Sequence, residues 1–200
     1  RWEGRLSVAA ANGPAACVVS GDPDAVDAFV ASCEEDRLRA RRIRGADAAG
    51  HSAQVEALRE RLLDQLAVEP GPSELPLYST VTGGRIDPAD MDGEYWYRNA
   101  RQTVQFNDAA RAMLADGHRV FLEVSPHPVL TVPLQGIADD AGVSVAPVPT
   151  LRRDEGGRHR FLGALAQAAS HGVVPDWDTV FPVDCPRAEL PPYAFQRERY

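Results

Sequence analysis

An α/β fold is the class this sequence predicts, and three observations carry the prediction. Short β-like runs alternate with amphipathic stretches along most of the chain, the order that produces layered α/β folds. Val55, Leu58, Leu62, Leu63 and Leu66 fall on one helical face, with Glu56, Arg59, Glu60 and Arg61 elsewhere on the surface. Val120 to Val124 (VFLEV) is an apolar run of strand length, closed by the rigid Ser125-Pro126-His127-Pro128, and reads as a buried strand.

The elements follow in order. Leu6 to Ala11 is apolar and stops at the turn signal Asn12-Gly13-Pro14. Ala16 to Ser20 (ACVVS) is a second strand, closed by Gly21-Asp22. Asp22 before Pro23 is a cap followed by proline at the first helical position. Val26, Phe29 and Val30 share the face of the helix that follows. Leu38 to Ile43 (LRARRI) alternates and predicts a half-exposed third strand. Strand, strand, helix, strand fits part of a ferredoxin-like unit over residues 1–45, with its first elements upstream.

Residues 46–172 form the larger expected unit. A helix starts at Ser52. Leu77 to Val81 is a short strand ending in Thr82-Gly83-Gly84. Glu94 to Asp116 reads as one or two helices, and Val129 to Ala138 as a helix with Pro133 breaking it near its start. Val143 to Val148 is a strand and Arg158 to Ala169 an amphipathic helix. Residues 173–200 are rich in proline and aromatics and read as an extended linker. Trp177, Phe181, Tyr193 and Phe195 are expected to anchor it, buried against the body.

Composition narrows the function classes. The chain has 200 residues, 44% of them hydrophobic, and a formal net charge of −8. A real core is affordable, and an acidic chain repels phosphate backbones, so nucleic-acid binding is disfavoured. All 21 basic residues are arginine. Cys17, Cys33 and Cys185 are scattered and form no CxxC, so neither a zinc site nor a disulfide framework is indicated and a reducing cytoplasm is the expected location. No apolar run is long enough to span a membrane. Arg1-Trp2 running directly into a strand reads as a cut inside a longer polypeptide.

Two residues at one junction invite chemistry. Gly50-His51-Ser52-Ala53-Gln54 has the outline of a nucleophile elbow, but the second glycine is Gln54 and Arg44 to Ala49 is no buried strand. Ser52 therefore reads as a helix cap, with a serine hydrolase using Ser52 as an alternative. His51 follows the small residues Ala48, Ala49 and Gly50, which leave space for a general base. His127 is boxed between prolines and shapes a loop; His118, His159 and His171 have no partner pattern and read as solvent-facing. No spacing of His, Asp or Glu reads as a metal site. A second alternative is a non-catalytic ferredoxin-like docking module in which His51 is ordinary.

Six stretches, in order, resemble the acyltransferase domains of type I modular polyketide synthases: AAANGPAACVVSGDPDAV from Ala9, GADAAGHSAQVEALRERL from Gly45, PLYSTVTGG from Pro76, YWYRNARQTVQF from Tyr95, FLEVSPHPVL from Phe121, and the tail LPPYAFQRERY from Leu190. The resemblance covers nearly the whole chain. It implies a malonyl-CoA:ACP transacylase-like α/β fold: part of an α/β-hydrolase-like large subdomain, a ferredoxin-like small subdomain, and a linker after them. It also implies ping-pong chemistry, in which a serine takes an extender acyl group from coenzyme A and passes it to the phosphopantetheine thiol of an acyl carrier protein. No permanently bound cofactor is implied. Partners would be acyl-CoA, the carrier protein, the neighbouring ketosynthase domain and the remainder of the acyltransferase domain.

Residue by residue, the signature that ends in the family's catalytic histidine is Ala48-Ala49-Gly50-His51 here, so His51 inherits the role of general base. A main-chain carbonyl orients that histidine in related enzymes; alignment on the VQF segment places it at Gln102, with Asn99 a weaker candidate. The serine on its Gly-His-Ser-x-Gly elbow, the oxyanion-hole glutamine and the arginine that grips the substrate carboxylate have no counterpart here, so this chain alone is expected to be inactive. In the family, Tyr-Ala-Ser-His goes with methylmalonyl units and His-Ala-Phe-His with malonyl. Ala48, Ala49 and Gly50 fit neither and leave volume for an alkylmalonyl group larger than methylmalonyl.

Overall fold

The Asn12-Gly13-Pro14 turn doubles the chain back. β1 (Leu6–Gly13) and β2 (Ala16–Gly21) pair antiparallel, from Leu6 opposite Gly21 to Gly13 opposite Ala16. This is a computed structural model, describing all residues except 1, 44, 46–47, 182–183, 185–188 and 197–200; Cys185 and the last residues of the tail thus lie outside the described residues. At the open end of the hairpin the backbones approach closely at Gly21, where a Cβ would stand 2.0 Å from the Arg5 carbonyl oxygen, so no side chain fits. β1 carries a bulge: Val8 faces Val19 and Ala10 faces Val18, leaving Ala9 without a partner on β2.

α1 (Pro23–Glu35) starts at Asp22 with proline in its first turn and buries Ala25 and Cys33. The expected third strand is a correction. Leu38 to Ile43 has no regular structure, and Leu38 and Ile43 are 62% and 55% exposed. Alternation makes a strand only where a neighbour offers unpaired backbone groups, and β2 pairs only with β1 among the described residues.

A 3₁₀ turn, Ala53–Leu58, continues into α2 (Arg59–Gln65). β3 (Leu77–Ser79) and β4 (Gly84–Ile86) form a second hairpin, of which the sequence announced only the first strand. Gly83 lies in its turn at φ 71°, a left-handed conformation that favours glycine. Glu94 to Asp116 resolves into α3 (Gly93–Arg101) and α4 (Phe106–Ala115), separated by the extended residues that carry the site. β5 (Val120–Glu123) and β6 (Ala146–Pro149) pair parallel, linked by α5 (Thr131–Asp140). Pro133 does not break α5, because it sits in the first turn, where a backbone N–H has no intrahelical partner anyway. α6 (Arg158–Ser170) packs on β6, and α7 (Trp177–Val180) is a single turn.

The main core joins α4 and α5 through Ala110, Leu114, Leu134, Ile137 and Ala138, with Phe106, Met113, Phe121, Val143 and Val145 packed around them. β1 also packs on both helices. Two burial expectations are corrected. The VFLEV strand is half-buried, with Leu122 44% and Val124 85% exposed, because β5 belongs to a two-stranded sheet. The tail aromatics are not buried anchors: Trp177 and Phe181 stack on each other, and Tyr193 and Phe195, 77% and 70% exposed, touch edge to face. They satisfy one another locally, a contact that composition cannot distinguish from burial against the body.

Candidate active site

The site is built at the junction after Gly50. His51 adopts φ 56°, in the left-handed region where histidine is one of the tolerated side chains. Its own N–H donates to the Ala100 carbonyl at 2.8 Å. This bond fixes the turn against the end of α3, whose sequence carries two buried tyrosines, Tyr95 and Tyr97, that hold the helix in place.

Gln102 ends α3 with φ −86° and ψ 163°, so its carbonyl leaves the helical ladder. That carbonyl oxygen lies 2.9 Å from His51 Nδ1. A carbonyl can only accept, so Nδ1 carries the hydrogen and the neutral ring keeps its lone pair on Nε2. Asn99 makes no hydrogen bond to His51 among the described contacts. The residues after Gln102 are docked on both sides. Val104 N–H donates to Ala9 O at 2.8 Å, and Ala11 N–H to Val104 O at 2.9 Å. Gln105 N–H and its side-chain amide donate to the carbonyls of Thr80 and Val81, each at 2.7 Å.

His51, Ala49 and Gly50 are half-buried; Ala48 and the Gln102 side chain are exposed. Gly50 has no left-handed φ, and a Cβ placed on it meets nothing within 4 Å. Glycine is therefore not required there by the backbone, and the space beside His51 is open.

Ser52 is a cap. Its oxygen accepts from Gln54 N–H at 3.2 Å and its hydroxyl donates to Ala49 O at 2.6 Å, in a residue only 2% exposed. With its proton committed to a carbonyl, Ser52 has no base to activate it, which removes the hydrolase alternative. His127 takes the Arg153 N–H on Nδ1 at 3.3 Å and so organises a loop. His118 is corrected: exposed, but with a partner, its Nε2 lying 3.4 Å from the Tyr78 hydroxyl, which also donates to Asp116. His159 and His171 are exposed. Among the described residues no three His, Cys, Asp or Glu side chains are grouped to hold a metal, and no helix is long and apolar enough to cross a membrane.

Sequence reasoning missed Glu123. Its carboxylate accepts from the N–H groups of Val129 (2.7 Å), Leu130 (3.1 Å) and Thr131 (3.0 Å) and from the Ser125 hydroxyl (3.2 Å). It closes the loop at the end of β5 and supplies an anion at the start of α5. An acidic residue ending an apolar strand was the available signal.

A family model described as an acyl transferase domain matches residues 1–175, and the chain belongs to that family. Within it, the chain is part of an acyltransferase domain of the modular type I polyketide synthase kind. It is 51% identical over 199 residues to polyketide synthase GfsB of Streptomyces halstedii, covering 98% of this chain and 4% of the relative, so it spans a small fraction of that protein. The solved acyltransferase domain from module 8 of the salinomycin polyketide synthase is 51% identical, with a TM-score of 0.86 over 89% of this chain and 42% of that one. The acyltransferase domain of SpnD, solved in complex with 2-(pent-4-yn-1-yl)malonyl, is 31% identical, with a TM-score of 0.72 over 84% of this chain and 41% of that one. These similarities fit the transacylase-like α/β architecture.

Proposed function

We propose that this chain is the histidine-bearing part of a site that loads an extender unit for polyketide assembly. The acyl group passes from coenzyme A to a serine outside this chain, and then to the phosphopantetheine thiol of an acyl carrier protein. Nε2 of His51 takes the serine proton as the hydroxyl oxygen attacks the thioester carbonyl, and the resulting imidazolium gives that proton to the departing thiolate. In the second half the same nitrogen deprotonates the phosphopantetheine thiol and returns the proton to the serine oxygen. The observation that carries this reading is the 2.9 Å contact between His51 Nδ1 and the Gln102 carbonyl, which leaves Nε2 as the acceptor.

The proposed partners are the remainder of the domain, its ketosynthase neighbour and the carrier protein, working in the cytoplasm. Residues 1–45, 46–172 and 173–200 are the proposed small subdomain, core portion and linker. Ala48, Ala49 and Gly50 are the proposed specificity residues, and the preferred unit is an alkylmalonyl group larger than methylmalonyl. A phenylalanine before the histidine would fill the space beside the substrate α-carbon, and a Cβ at Gly50 meeting nothing within 4 Å supports an unfilled hollow there. The SpnD domain's complex with a long-chain malonyl derivative supports such a group in this family. Each added methylene contributes about 0.8 kcal/mol if fully buried, and discrimination per methylene stays within about 10–200-fold.

The test uses the complete domain. His51→Ala should slow acyl-enzyme formation by about 10²–10⁴-fold, the scale of acid–base catalysis; a wild-type rate would make His51 an ordinary residue of a docking module. Malonyl-, methylmalonyl- and larger alkylmalonyl-CoA should be competed in wild type and in Gly50→Phe. Preference for malonyl-CoA in wild type, or retention of large units by Gly50→Phe, would overturn the specificity reading.

A further inference from the structure

We propose that Thr103 is a positioning residue for His51, an inference that rests on His51 being the general base. The Gln102 carbonyl that selects the His51 tautomer has left the ladder of α3. It shares one rigid peptide plane with the Thr103 N–H, so whatever fixes residue 103 limits the rotation of that carbonyl. The Thr103 hydroxyl donates to the Val8 carbonyl at 2.7 Å. The paired contacts at Val104, with Ala9 and Ala11, act one residue further on. Thr103 thus ties one end of the plane that holds Nδ1 to β1 through its side chain.

The acceptor lies beside the bulge in β1. The register shift between Val8 and Ala10 takes Ala9 out of the ladder with β2 and turns this stretch towards residues 103–104. One irregularity in the small hairpin thus fixes a peptide plane whose carbonyl sits on the ring of His51. Without the hydroxyl, that plane can rotate about the bonds flanking it, the Nδ1–H bond lengthens, and the ring samples the tautomer whose Nε2 carries hydrogen and cannot accept a proton.

The experiment compares Thr103→Val, Thr103→Ser and His51→Ala in the complete acyltransferase domain. The readouts are kcat and KM for acyl-CoA and melting temperature. Thr103→Val should lower kcat by about 2–10-fold, the scale of one neutral hydrogen bond, with KM unchanged. Thr103→Ser should restore kcat. A wild-type kcat in Thr103→Val, with His51→Ala inactive, overturns the role of Thr103 alone. So does a loss that follows the melting temperature, raises KM and is not rescued by serine. A wild-type rate in His51→Ala overturns both this inference and the reading it rests on.

Discussion

Removing the Glu123 carboxylate should unfasten the loop between β5 and α5. Four donors converge on its two oxygens, three of them backbone N–H groups that enter or begin a helix. Hydrogen bonds to a charged group contribute about 1.5–3 kcal/mol each when buried. Val129 is 66% exposed, however, so water replaces part of what its N–H loses. Counting the other two N–H groups at the low end of that range gives roughly 3 kcal/mol for Glu123→Ala, and the anion at the helix start adds only a few tenths. Glu123→Gln keeps one accepting oxygen and should cost about half as much. The assay is urea denaturation of the complete acyltransferase domain. With a slope on the order of 2 kcal/mol/M, the midpoint for Ala should fall by about 1.5 M, and that for Gln by roughly half of this. Amide exchange at Val129, Leu130 and Thr131 should quicken first. A midpoint within about 0.3 M of wild type for Glu123→Ala, or equal losses for Ala and Gln, would refute the carboxylate as the clamp.

Two further outcomes follow from packing and charge. Ile137 is fully buried in the α4–α5 core and lies against Gly13 of the hairpin, so Ile137→Ala should destabilise by about 2–5 kcal/mol in the same denaturation; a cost under about 1 kcal/mol would mean the core collapses to fill the space. The Tyr78 hydroxyl, held by hydrogen bonding to Asp116, ionises above its ordinary 10.0. A folded value above the unfolded one stabilises below pH 10 and loses that contribution as pH rises through the folded value. Wild type should therefore lose stability above pH 10 relative to Tyr78→Phe; equal alkaline melting curves would refute it.

The parts legible in sequence were those set by local chemistry. Asn12-Gly13-Pro14 gave a hairpin because the turn dictates it, and Asp22-Pro23 began a helix for the same reason. Leu38 to Ile43 misled because alternation describes one strand, whereas a sheet needs two. Tyr193 and Phe195 misled because aromatic composition does not require burial: the two rings touch edge to face and stay 77% and 70% exposed. Glu123 carried a signal, an acid ending an apolar strand, but its partners lie six to eight residues on, in a loop whose path no propensity predicts. The contact between His51 and Gln102 spans 51 residues and involves a main-chain atom. No pattern of side chains could find it; the resemblance of whole segments did.

That use of main chain carries a consequence for how the site is built. A carboxylate orienting His51 would add a charge that must itself be paired or solvated, and it would tie tautomer selection to one side chain. A carbonyl selects the same tautomer without net charge, and its position follows the course of the backbone. The cost moves into the fold: the end of α3, the extended residues 103–105, the bulge in β1 and the turn after β3 must all agree for Gln102 to meet the ring. Residues distant from His51 in sequence thereby come to hold its ring. Meanwhile a Cβ at Gly50 meets nothing within 4 Å, so that position is not tied to the contact that holds His51. The proposed proton acceptor and the proposed specificity positions are therefore held by different parts of the chain.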